Sequence, residues 1–213
     1  LFLATLLYVI LFIPDLYLNT QYDFVEKHQQ ILGYHRTMVS ENEHPYCSEW
    51  YSWPILVKPI AYYFSQNYFS SGTWFTSVHL LPNPLLNWLS LLAIITMIIR
   101  YSSSIAKYRP ARKNFQKMAL ILSVGFLINL VPWSIIDRCL FLYHYQPSYV
   151  FSMLALAFLV SEQWERNGIM RKITPSSIIA LIIVSFLYWL PIQLGFEIPE
   201  NEFYRRMWFG SWI

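Results

Sequence analysis

The 213-residue chain is 56% hydrophobic and only 13% charged, with 15 Lys or Arg against 12 Asp or Glu. An ordinary soluble domain carries about 25% charged residues, so these are too few to solvate a globular surface, and lipid is the expected solvent. The net charge of +3 gives no support to nucleic-acid binding. Aromatic residues make up 19% of the chain, a bias expected where a membrane meets water.

The chain opens on an apolar run from Leu1 to Ile13, with no basic flank or small-residue cleavage site of the signal-peptide kind. Pro14 and Asp15 end that run early, so residues 1–18 read as a truncated membrane span of a longer protein. Residues 19–84 form a long loop. In it Phe24, His28, Ile31, Leu32, His35, Met38 and Val39 recur at helical spacing, with Asp23, Glu26, Lys27, Gln30 and Arg36 largely elsewhere around the helix. That pattern predicts an amphipathic helix lying in the interface.

The same loop holds His44-Pro45-Tyr46-Cys47-Ser48-Glu49-Trp50-Tyr51-Ser52-Trp53-Pro54, followed by Lys58-Pro59 and Tyr62-Tyr63. Polar donors, aromatic faces and Pro-fixed bends this dense suit a shaped surface at headgroup depth. An aromatic belt with a rigid re-entry turn accounts for the composition equally well.

Four further apolar runs follow: Leu85 to Ile99, Met118 to Ile136, Tyr149 to Val160 and Ile178 to Leu194. A span needs about 20 residues, so the shorter runs extend into weakly polar flanks, as in Leu81 to Tyr101 and Phe141 to Ser161. The expectation is an all-α membrane protein of about five transmembrane helices, with residues 85–213 as a four-helix C-terminal region ending in an outer tail. Arg100, Lys107, Arg109, Arg112, Lys113 and Lys117 connect two spans with no acidic residue among them, which assigns that loop to the cytoplasm. Alternation then places 162–174 on the same side. The loop 15–84, the turn 137–148 and the tail 196–213 face outward. The long loop agrees in being acid-rich, with 6 carboxylates against 3 Lys or Arg.

The turn Pro132-Trp133 to Asp137-Arg138, then Phe141-Leu142-Tyr143-His144-Tyr145-Gln146-Pro147, carries the second candidate site. An Arg at this depth is costly unless it meets an anion, and its planar fork suits a phosphate, so Arg138 is a candidate phosphate ligand. A salt bridge to Asp137 or snorkelling to lipid headgroups explains the same residue. All 5 His fall on the outer side, without HExxH or comparable spacing, so no metal site is expected. His44 and His144, inside the two dense segments, are candidates to hydrogen-bond a substrate. Cys47 and Cys139 allow one pairing, which would join the two segments. The strict geometry of a bridge and the frequency of free buried Cys weigh toward two thiols.

At these two segments the chain resembles the C-terminal membrane region of the protein O-mannosyltransferases, the GT-C class of phospholipid-carrier-dependent glycosyltransferases. His44 to Pro54 matches their His-Pro-Tyr-x-Ser-x-Trp-x-Ser-Trp-Pro pattern, and Pro132-Trp133 with Arg138 to Pro147 matches their Pro-Trp and Arg-x-x-Phe-x-Tyr-His-Tyr-x-Pro stretch. Arg206-Met207-Trp208 and Ser211-Trp212-Ile213 also resemble the ends of bacterial members. The resemblance implies transfer of mannose, or another hexose, from a polyprenyl or dolichyl phosphate to Ser or Thr hydroxyls of exported proteins, with no cofactor. It implies a multi-pass protein of the cytoplasmic membrane with its active face outside the cell. Arg138 would hold the donor phosphate, with His44, Tyr46, Ser48, Trp50, Trp53, Tyr143, His144 and Tyr145 lining the substrate cavity. The catalytic carboxylates belong to the family's N-terminal half, so Asp15, Glu43 and Glu49 are not assigned as base. The loop 15–84 has no room for the β-rich domain of eukaryotic members, which favours a bacterial type. The rival expectation is a non-catalytic membrane subunit that binds a lipid headgroup.

Overall fold

The computed structural model describes residues 2–18, 21–37, 44–106, 113–136, 138–165 and 168–213. The chain divides into two compact units, Leu1–Glu43 and His44–Ile213.

The first unit holds helices α1 (Phe2–Leu18) and α2 (Phe24–Thr37). Helix α1 continues through Pro14 to Leu18. Helix α2 starts where the sequence offers a reciprocal cap: Glu26 N donates to Asp23 Oδ1 at 2.8 Å and Asp23 N to Glu26 Oε2 at 3.2 Å. Polar bonds hold the helices together. Lys27 pairs with Asp15 at 2.7 Å, and Tyr8 Oη lies 2.6 Å from His28 Nε2. His28 Nδ1 sits 2.6 Å from Phe24 O, so the tautomer protonated at Nδ1 satisfies both contacts. His28 thus binds helix to helix. Met38 and Val39 lie outside the described residues.

The second unit is built on α3 (Pro84–Ala106), α4 (Lys113–Leu130), α5 (Gln146–Trp164) and α6 (Ile169–Leu194). Three stretches, Pro84–Ser104, Asn114–Ile135 and Lys172–Leu194, are long and apolar enough to cross a membrane. Helix α5, 19 residues long, runs between them. Its first turn leaves the end where α4 finishes, and its last turn meets α3 at the other, where Arg100 pairs with Glu162 at 3.1 Å.

The bundle is arranged as lipid demands. Leu92, Ile95, Ile99, Ile121, Val124, Ile128, Leu154, Leu181 and Val184 face outward, whereas Asn87, Ser90, Ser148 and Ser152 are fully buried between helices. With hydrocarbon outside, there is no hydrophobic reason to bury Leu, and small polar residues serve close helix contacts instead. Gly125 shows how close: a Cβ there would overlap the ring of Phe151 on α5.

One element departs from the helical expectation. The segment before α3 folds into a hairpin, β1 (Ile60–Phe69) and β2 (Gly72–Leu80), turning at Ser70-Ser71 with Phe69 opposite Gly72. Gly72 takes φ +122°, which the turn needs and a side chain resists. The tail adds β3 (Glu197–Pro199) antiparallel to β2, giving sheet order β1-β2-β3. The tail beyond it also packs. Helix α7 (Glu200–Tyr204) leads to Arg206, which is buried over the Tyr188 ring and bonded to Tyr188 O at 2.7 Å and Glu202 Oε2 at 2.9 Å. Trp212, fully buried, donates to Leu56 O at 2.7 Å.

Candidate functional site

The two dense segments flank the helical bundle at one end. His44–Pro54 passes into a 3₁₀ turn, Trp50–Ile55, which is bonded to the first turn of α3: Asn87 Nδ2 donates to Pro54 O at 2.7 Å and Trp88 Nε1 to Ile55 O at 3.2 Å. The second segment follows α4 as the 3₁₀ turns Val131–Ile135 and Leu142–Tyr145 and then enters α5. Pro132 and Pro147 each sit in the first turn of a helical element, where a missing N–H costs nothing.

Two bonds join the segments. A disulfide links Cys47 to Cys139 with their Cα atoms 5.1 Å apart, and Ser48 N donates to Leu140 O at 2.8 Å. Sequence favoured two free thiols; the structure corrects this, because backbone pairing at Ser48 and Leu140 already brings the neighbouring cysteines within bridging distance. A disulfide also fits an oxidising compartment.

The aromatic rings interleave across this junction. Trp53 stacks on His144 with centroids 5.9 Å apart, Trp133 meets the His144 ring at 4.3 Å and Tyr143 at 4.4 Å. His44 meets Phe141 edge-on at 5.3 Å and Tyr46 at 5.6 Å. Trp53 is 1% exposed and donates through Nε1 to Ser48 Oγ at 2.9 Å.

His144 is fixed in this cluster. Its Nδ1 lies 3.1 Å from Phe141 N and 2.9 Å from Phe141 O, contacts that lock the ring plane and leave Nε2 as the nitrogen for a ligand. Burial holds the imidazole below its ordinary value of 6.5, the Phe141 backbone bond partly opposes this, and the Arg138 charge lowers it further. His144 is therefore neutral near pH 7, beside a permanent cation. Arg138 is half-buried and makes no ion pair with a described residue. Asp137, its expected competitor, lies outside the described residues.

Of the residues expected at the site, His44, Tyr46, Ser48, Trp53, Tyr143 and His144 come together, with Arg138 acting on His144. Two diverge. Trp50 is half-buried, and its ring meets Tyr51 at 5.9 Å instead of the His144 cluster. Tyr145 turns into the bundle, 2% exposed, where burial pushes its phenol up to about 12. Trp53, equally buried, supports the surface from behind. Sequence reasoning missed Trp133 and Phe141 as ring partners; both stood in the quoted segments, but nothing in their spacing showed that they would face histidines.

Comparison with known proteins places the chain in a family. The family model of the C-terminal four-transmembrane-helix region of protein O-mannosyltransferase matches residues 20–212. A polyprenol-phosphate-mannose–protein mannosyltransferase of Corynebacterium glutamicum is 24% identical over 204 residues, covering 89% of this chain and 36% of the relative. Dolichyl-phosphate-mannose–protein mannosyltransferase 5 of Candida albicans is 27% identical over 184 residues, covering 80% of this chain and 25% of the relative. Among solved structures, a protein O-mannosyltransferase complex of S. cerevisiae bound to the sugar donor superposes with a TM-score of 0.74 at 22% identity, covering 89% of this chain and 26% of that one. The chain thus spans between about a quarter and a third of the length of these relatives. The match runs through both aromatic segments and all four long helices of the second unit, and the chain belongs to the protein O-mannosyltransferase family, as its C-terminal four-transmembrane-helix region.

Proposed function

We propose that this chain is the donor-framing part of an enzyme that transfers mannose from a polyprenyl phosphate to Ser or Thr hydroxyls of exported proteins. The observation that carries the reading is the covalent junction of the two family segments. The Cys47–Cys139 bridge and the Ser48–Leu140 bond hold Arg138 and a neutral His144 on one aromatic shelf.

The reaction needs a cation there. As the acceptor oxygen bonds to the anomeric carbon, the bond from that carbon to the phosphate oxygen breaks, and the lipid phosphate leaves with the electron pair. A fixed guanidinium stabilises the charge growing on the phosphate. Neutral His144 adds a hydrogen bond without a second positive charge to desolvate, and the rings of Tyr46 and Tyr143 offer apolar faces to the sugar. The acceptor proton goes to a base outside this region; Asp15, Glu43 and Glu49 are not assigned to it. The shelf faces the exterior of a bacterial cytoplasmic membrane, where phosphate lies at headgroup level and exported acceptors arrive. On this reading residues 1–18 are a membrane span, residues 19–84 an extracytoplasmic segment that carries α2 and the hairpin, and residues 85–213 the four-helix region.

In the full-length enzyme, Arg138→Ala removes a charge-assisted bond of about 1.5–3 kcal/mol and should weaken donor affinity roughly 10- to 150-fold. Arg138→Lys should recover part of it. A donor dependence unchanged in Arg138→Ala rejects the phosphate role.

A further inference from the structure

No step of the transfer described above uses the tail residues 206–212, yet their contacts run to the turn that carries Trp53. From Ser52 to Val57 every backbone carbonyl has a hydrogen-bond donor, and the donors come in pairs. Within the turn, Val57 N donates to Ser52 O at 3.3 Å and Leu56 N to Trp53 O at 3.0 Å. From α3, Asn87 and Trp88 donate to Pro54 O and Ile55 O. From the tail, Trp212 Nε1 donates to Leu56 O at 2.7 Å and Ser211 Oγ to Val57 O.

The tail's share falls on the strained part of the turn. Leu56 has φ 59° and ψ 45°, the one left-handed non-glycine among the described residues. A bulky residue keeps that conformation only where its surroundings impose it. Helical turns commonly end this way on glycine, which takes a positive φ without penalty, but Leu56 is fully buried and fills a core position. Relaxation of Leu56 to negative φ would swing Val57 N away from Ser52 O and loosen the turn whose Trp53 ring stacks on His144. The tail is anchored firmly enough to prevent this. Arg206 is buried over Tyr188, Trp189 Nε1 donates to Arg206 O at 3.1 Å, and the Trp208 ring packs on Trp189 at 4.4 Å.

We propose that Trp212 is a positioning residue of the donor shelf: its indole N–H, aided by Ser211, holds Leu56 left-handed and so seats Trp53 beneath His144. The role rests on the reading of that shelf as the donor site, and it reaches the donor through Trp53 and His144 without touching it.

The test uses the full-length enzyme in nanodiscs. Trp212→Phe keeps a ring in place and removes the N–H, so donor KM should rise about fivefold, the size of one lost hydrogen bond, with kcat and acceptor KM little changed. Leu56→Gly reaches the left-handed conformation unaided, so in its background Trp212→Phe should change donor KM by less than about twofold. Fluorine NMR of the fluorotryptophan-labelled protein, recorded without donor, reads the seat itself. The Trp53 resonance, assigned by its loss in Trp53→Phe, should shift in Trp212→Phe and by less in Ser211→Ala, while that of Trp164 at the far end of α5 stays in place. A Trp53 resonance unmoved in both variants overturns the proposal. So does an equal rise in donor KM with and without Leu56→Gly, which marks a merely structural loss. Because the resonance is read without donor, failure of the donor assignment, seen as an unchanged donor dependence in Arg138→Ala, is told apart from failure of the tail's hold.

Discussion

Removing the Cys47–Cys139 bridge by the double substitution Cys47→Ser and Cys139→Ser tests how the two segments are held. The bridge spans a sequence separation of 92, and closing a loop of that size constrains the unfolded chain by roughly 4.6 kcal/mol at 25 °C on the chain-entropy account. In lipid the reference state is less free, because α3 and α4 inside the loop remain helical. That leaves about 50 flexible residues, and the logarithmic dependence lowers the figure only to roughly 4 kcal/mol. Native strain and residual structure usually reduce it further, so a loss of about 2–4 kcal/mol is expected. The assay is thermal unfolding of the full-length protein in nanodiscs, paired with donor binding. Unfolding should shift down by several degrees, and donor affinity should fall because Arg138 lies next to the released cysteine. A double variant that keeps both midpoint and affinity would show that the Ser48–Leu140 contact suffices, and the covalent argument fails.

Other substitutions probe the packing and the titrating groups. Trp53→Ala should cost about 3–5 kcal/mol by denaturant unfolding, since it empties a buried site beneath His144. Trp53→Phe should cost less, losing the bond to Ser48 while keeping a ring. Gly125→Val forces the Phe151 ring out of its place between α4 and α5 and should destabilise by about 1–3 kcal/mol, with Phe151→Ala in the same chain restoring part of it. Burial lowers both His79 and His144 below 6.5. Between 6.5 and the depressed native values the unfolded chain binds more protons, so this contribution is whole above pH 6.5 and lost as pH falls through that window. Unfolding midpoints measured from pH 7.5 to pH 5 should drop, and His144→Phe should flatten part of the slope; a slope unchanged in that variant contradicts the assignment.

Much of this was written in local pattern. The apolar runs predicted the long helices because, in lipid, hydropathy and length almost decide a span. Pro132 and Pro147 marked the turns around Arg138. The hairpin at 60–80 was less visible, since Tyr62, Tyr63, Phe64 and Tyr68 suit a membrane interface as well as a strand, and β3, which completes the sheet, arrives from residue 197. At the site, residue types were legible but directions were not. His144 and Tyr145 are adjacent, yet one joins the aromatic shelf and the other is buried in the bundle. The disulfide depended on a pairing between Ser48 and Leu140 that no spacing reveals.

The central claim is that His44–Pro54 and Arg138–Pro147 form one shelf that holds the donor phosphate. A structure of the full-length protein with a non-transferable polyprenyl-phosphate sugar bound tests it most directly. Phosphate oxygens within about 2.9 Å of the Arg138 guanidinium, with the sugar against the Tyr46 and Tyr143 rings, is the predicted result. A phosphate held by other cations, with Arg138 tied to a protein carboxylate, would contradict it.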